Sequence, residues 1–171
     1  MNRIIVASIL GLISSALAAH GQAAVLFDNY GGEPVRWTTD ALLAPTGRAG
    51  TPVMAADNFK VNLLWQYDGF TGDAGLAVPV GDGGYFSGPL VTLGPYPGYE
   101  PITFTVPAWD GADYASSGAT GSVTWMEAIL VPGPPGGFHM PALYVEYVPE
   151  PSLLALAGLG IAGVVFARRR A

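Results

Sequence analysis

The sequence predicts an all-β fold, an antiparallel sandwich of the jelly-roll or immunoglobulin-like type, set between a processed N-terminal segment and an apolar C-terminal one. Three observations predict it. Short runs of β-branched, Leu and aromatic residues recur through the middle of the chain, several alternating with the two-residue period of a half-buried strand. Turn-forming Gly, Pro, Asp and Asn punctuate them at strand-length spacing. No twelve-residue window in that region carries a helical apolar stripe, so the crossover helices of a parallel sheet have no sequence to form them.

The first 24 residues read as a secretory signal peptide. Arg3 supplies the positive charge, Ile4–Ile13 the apolar run, and small residues follow. Ala16-Leu17-Ala18 and Gly21-Gln22-Ala23 both satisfy the small-x-small cleavage rule, placing the cut after Ala18 or Ala23. His20 then leaves with the leader, and fold reasoning starts at Val25.

Residues 25–147 form the extracytoplasmic domain, long enough for one core. The strands expected are Val25–Asn29, Val53–Val61, Leu63–Tyr67, Leu76–Val80, Leu90–Leu93, Pro101–Trp109, Val123–Val131 and Leu143–Val148. In Pro101–Trp109, Ile102, Phe104 and Val106 face one way and Thr103 and Thr105 the other. In the next run Val123, Trp125 and Glu127 oppose Thr124, Met126 and Ala128. The turns are Asp28–Gly32, Asp68-Gly69, Gly81–Gly84, Gly94–Gly98 and Pro132–Gly137, and Asp110–Gly118 has room for one helical turn.

Composition narrows the function. Residues 24–148 hold three basic and twelve acidic side chains, a formal charge of −9, which leaves no cationic patch for DNA or RNA. There is no cysteine, so neither disulfides nor a lipid-bearing thiol hold the exported domain, and packing alone must stabilise it.

Catalytic signals are sparse, and the reading is of a non-enzymatic protein. The mature region has one histidine, His139, and no nucleophile elbow surrounds Ser87, Ser116, Ser117 or Ser122. Glu100, Glu127 and Glu146 lie in or beside strands, but a glycosidase needs a pair at fixed separation, which sequence does not place. One histidine without cysteine does not make a transition-metal site, and no metal ligands are assigned. A structural calcium ion is the one cofactor considered, through Asp68, Asp73, Asp82, Asp110 and Asp113, although turn formation accounts for aspartates at such positions. Gly81-Asp82-Gly83-Gly84 lacks the Lys-Ser/Thr of a phosphate loop. Of the aromatic residues, Tyr96 and Tyr99, in a Gly/Pro loop, are the candidate glycan contacts; Trp109 and Trp125 sit in strands and read as core.

The C-terminal 24 residues organise the functional reading. Val148-Pro149-Glu150-Pro151 precede sixteen uncharged residues, Ser152–Ala167, and then Arg168, Arg169 and Arg170. As a helix, sixteen residues rise about 24 Å, enough to span a bilayer when the ends snorkel. Pro149 and Pro151 delay its start, and the arginines hold its end on the cytoplasmic side. The domain therefore lies outside the inner membrane.

In this order, Pro-Glu-Pro, a slim apolar helix and a terminal basic cluster resemble the PEP-CTERM sorting signal of exported proteins in Gram-negative bacteria. The resemblance implies Val148, Pro149, Glu150 and Pro151 as the sorting motif and Ser152–Ala167 as the membrane helix. It makes Arg168–Arg170 the cytoplasmic stop. It further implies exosortase, a membrane-embedded transpeptidase-like enzyme, as the processing partner, and association with exopolysaccharide and biofilm production. Gly50-Thr51-Pro52-Val53, Leu76–Val80, Phe104–Gly111 and Tyr114-Ala115 also resemble, more loosely, exported domains that precede such signals. A protein anchored first in the inner membrane and then sorted to the envelope or extracellular matrix is the expectation. The alternatives are a carbohydrate-binding module of the exopolysaccharide matrix, and a secreted hydrolase using His139 or a glutamate.

Overall fold

Alternation from Pro101 to Ala108 builds the central strand: Ile102, Phe104 and Val106 are fully buried while Thr103 and Thr105 stay partly exposed. The computed structural model describes residues 23–94, 96, 100–128 and 139–148. Their strands are β1 (Ala23–Asp28), β2 (Val35–Trp37), β3 (Lys60–Val61), β4 (Leu64–Tyr67), β5 (Phe70–Asp73), β6 (Val78–Pro79), β7 (Ser87–Leu93), β8 (Pro101–Trp109), β9 (Ala119–Ala128) and β10 (Leu143–Tyr147). No α-helix occurs among the described residues, only 3-10 turns at Ala55–Asp57 and Asp82–Gly84. The expected helical turn at Asp110–Gly118 is a run of bends and turns instead.

The strands form two sheets in a sandwich-like arrangement. One is the antiparallel pair β1–β7; the other runs β2-β10-β9-β8-β3-β6, with β4 also on β8 and β5 on β4. β3 and β4 occupy successive stretches of the same flank of β8, Val61 opposite Ala108 and Leu64 opposite Thr105. Asn62 sits at the break, donating to Asp73 (2.7 Å) and accepting from the Leu76 N–H (2.8 Å). One continuous core takes Val25, Phe27 and Leu93 from the small sheet and Val61, Phe104, Val106 and Val145 from the large one. Burial of these side chains, each contributing about 1.5–3 kcal/mol, does the stabilising that disulfides do elsewhere.

Four expectations are corrected. Pairing is not wholly antiparallel, because Leu143–Val145 run parallel to Val35–Trp37. The two strands lie at opposite ends of the domain sequence, so the intervening chain makes the connection and no crossover helix is needed. Val53–Val61 is not one strand: a 3-10 turn interrupts it, and Asn58 in the left-handed conformation (φ 57°) ends that turn before β3. Leu76–Val80 contracts to β6, while β2 and β5 are strands that the sequence patterns did not announce.

The fourth concerns the leader boundary. β1 begins at Ala23, which is 2 % exposed and paired with Leu93, and Ala24 pairs with Thr92. Two residues assigned to the 1–24 leader are thus part of the fold. The rest of the leader and Ser152–Ala167 lie outside the described residues, among which no helix is long and apolar enough to cross a membrane.

Candidate functional site

β10 carries the chain to the sorting motif, and it is held on both sides. Its first half lies along β2, and Glu146 and Tyr147 pair with Thr120 and Ala119 of β9. Val145 accepts the Thr38 N–H at 2.8 Å, and the Tyr147 N–H donates to the Leu43 carbonyl at 2.9 Å. The Val148 N–H donates to the Gly118 carbonyl, also at 2.9 Å. Hydrogen bonding to the domain therefore includes the first residue of the motif. Pro149, Glu150, Pro151 and Arg168–Arg170 lie outside the described residues.

An ion pair and an aromatic stack brace this exit. The Trp37 ring packs against Phe59 and Tyr147, each at 5.3 Å between centroids. Arg48 lies 5.8 Å over Trp37 and grips both carboxylate oxygens of Asp57, at 2.5 and 2.8 Å. Burial pushes the Asp57 pKa up, but hydrogen bonds from Arg48 and the Met54 N–H outweigh it and hold the carboxyl below its ordinary value. The Trp37 indole N–H faces the same carboxylate and adds to the lowering, without closing a normally formed hydrogen bond. Arg48 in turn is raised by its bond to Asp57. Sequence reasoning missed this brace; Val35-Arg36-Trp37 is too short to show a period, and Arg48 and Asp57 meet only through the intervening loop.

Of the two candidate glycan residues, the described one is buried. Tyr96 is 4 % exposed, its hydroxyl donates to the Glu100 carbonyl, and its ring meets Tyr67 edge-on at 5.0 Å. Buried so, Tyr96 presents no open ring face to a sugar arriving from solvent. Tyr99 lies outside the described residues. Desolvation, then the Glu100 carboxylate at 3.0 Å, pushes the Tyr67 hydroxyl pKa up. A cleft of about 370 Å³ does open on β4, β5 and β8, lined among others by Trp65, Gln66, Thr71, Asp73, Thr103 and Thr105. It sets hydroxyl, amide and carboxylate groups beside the largely buried Trp65.

Four of the five aspartates considered for calcium accept hydrogen bonds from the protein. Asp73 accepts the Gly75 N–H (2.7 Å), Asp82 that of Ala55 (2.9 Å) and Asp110 that of Ala119 (2.9 Å). Asp113 takes the backbone N–H and the hydroxyl of Ser116, which lower its pKa in that order. Asp68 sits at positive φ (44°) in the β4–β5 turn. Among the described residues no three His, Asp or Glu side chains converge as metal ligands.

His139 is exposed, its Nδ1 3.6 Å from Glu127 Oε1, and the Trp125 indole donates to the other Glu127 oxygen at 3.2 Å. Glu100 accepts from Tyr67, and Glu146 is exposed on β10. The expected facing holds in β9, where Val123, Trp125 and Glu127 are half-buried and Thr124, Met126 and Ala128 exposed. A larger cleft of about 690 Å³ beside β3 and β6 includes Lys60, whose ammonium donates to the Gly111 carbonyl at 2.6 Å.

Comparison with known families identifies residues 148–170 as a PEP-CTERM protein-sorting motif. The chain thus carries the signal for exosortase-dependent sorting of an exported protein, with a membrane-anchored C-terminal tail. No curated protein and no solved structure matches the chain.

Proposed function

We propose that this protein is a non-enzymatic component of the cell envelope or extracellular matrix, delivered there by exosortase. The leader directs export, the β-domain folds on the periplasmic side, and Ser152–Ala167 holds it at the inner membrane with Arg168–Arg170 in the cytoplasm. Exosortase then acts at Val148–Pro151, and the mature domain joins the exopolysaccharide or biofilm matrix. The observation that carries this reading is the sorting motif at residues 148–170, whose first residue, Val148, is hydrogen-bonded to the domain at Gly118.

The start of β1 supports cleavage of the leader after Ala18. A cut after Ala23 would remove a buried residue and its pairing with Leu93. The absence of cysteine suits a domain that folds after export without needing an oxidant.

Glu150→Ala, and separately replacement of Arg168–Arg170 by glutamine, test the proposal. Both variants should accumulate in the inner membrane instead of reaching the envelope or medium, as followed by fractionation and immunoblotting. Wild-type distribution of both would refute it.

A further inference from the structure

We infer that the β10 exit end of the domain rests on the outer surface of the bilayer, through Leu42, Tyr147, Val148 and the Asp110–Gly118 loop bearing Tyr114. The inference rests on Ser152–Ala167 being the membrane segment, as proposed above, and adds which face of the domain meets the lipid.

The reach of the chain dictates the approach. Val148 is fixed to Gly118, and only Pro149, Glu150 and Pro151 separate it from Ser152. The four backbone steps from Val148 to Ser152 span at most about 14 Å fully extended. The headgroup layer on each side of the hydrocarbon is itself about 5–7 Å thick. The surface around Val148 is therefore held within about 10 Å of the headgroups, close enough for its exposed side chains to reach them.

That surface has the side chains an interface takes. Leu42, at 89 % exposure, is the most exposed large hydrophobic residue among those described, and it adjoins Leu43, whose carbonyl holds Tyr147. Tyr147 (42 %), Val148 (43 %) and Tyr114 (45 %) are also open to solvent. Tyrosines at such a boundary keep the ring in the acyl margin and the hydroxyl in water. Asp40, Asp110 and Asp113 sit on the same loops, with Arg48 against Trp37, so a zwitterionic surface suits this end better than a strongly anionic one.

The chain has no cysteine, so single labels are clean. Leu42→Cys, Met126→Cys and Leu154→Cys would each carry a polarity-sensitive dye on the full chain in phosphatidylcholine vesicles, with shallow nitroxide lipid as quencher. Met126 is exposed on the outer face of β9, so neither it nor Leu42 is needed for folding. The inference expects blue-shifted, quenched emission at 42 and 154, and water-like, unquenched emission at 126. Quenching at 154 without quenching at 42 overturns the membrane-facing surface while leaving the membrane segment intact. No quenching at either removes both. A blue shift at 42 that needs exosortase in the vesicle overturns it in favour of a protein contact.

Discussion

Replacing Asn29 with alanine should cost the domain a large share of its stability, because one fully buried side chain closes three backbone gaps. Asn29 Nδ2 donates to the carbonyls of Glu33 (3.1 Å) and Gly84 (3.0 Å), and its Oδ1 accepts the Phe86 N–H at 2.8 Å. These bonds tie the end of β1 to the loop entering β2 and to the turn entering β7. Alanine leaves the Phe86 N–H and the Gly84 carbonyl buried without partners, at about 1–3 kcal/mol each, whereas the Glu33 carbonyl can take water. About 4 kcal/mol in all is a serious loss against a typical total of about 5–15 kcal/mol. With a urea slope of about 2 kcal/mol/M, the unfolding midpoint falls by about 2 M. Tryptophan fluorescence of the full chain in detergent through a urea series reads this directly. A midpoint within about 0.3 M of wild type, the range of an ordinary surface substitution, would refute the argument that Asn29 fastens the two sheets.

Two further predictions concern the exit. The folded-state pKa of Asp57 lies below its ordinary value, so its stabilising contribution is complete above the unfolded pKa of about 3.9 and is lost as pH falls through the folded value. Arg48→Met should lower neutral-pH stability and flatten the loss seen on acidification below about pH 4; a urea midpoint that falls with acid in parallel with wild type would contradict this. Gly121→Ala places a methyl group against the Tyr144 carbonyl where β9 meets β10, and should speed hydrogen exchange at Tyr147 and Val148 and expose the motif to protease. Unchanged exchange there would show that β10 is not pinned by this pairing.

The fold was legible wherever a strand was long and one-sided. Pro101–Trp109 shows its buried face because three large apolar residues alternate with threonine, and the same holds for the facing within β9. β5 was hidden because Phe70-Thr71-Gly72-Asp73 is a short, exposed edge strand whose second half, Gly and Asp, is depleted in strands. Its glycine lies against the Trp65 ring, where any side chain would collide. Val53–Val61 misled because its apolar residues satisfy a strand pattern while the Asp57 carboxylate, accepting the Met54 N–H at 2.7 Å, favours a turn. Tyr96 misled differently: a Gly/Pro loop suggests exposure, but a loop can fold a large ring inward, and only tertiary contact with Tyr67 decides. The sorting motif needed no tertiary information, being read as linear sequence; its direct junction with β10 did, since the Val148–Gly118 bond joins distant parts of the chain.

Intact-mass measurement of the protein recovered from cells with and without exosortase tests the central claim most directly. The account predicts a species that begins at Ala19 and ends near Glu150 when the enzyme is present, and one that still ends at Ala171 when it is absent. Identical C-termini in both would contradict it.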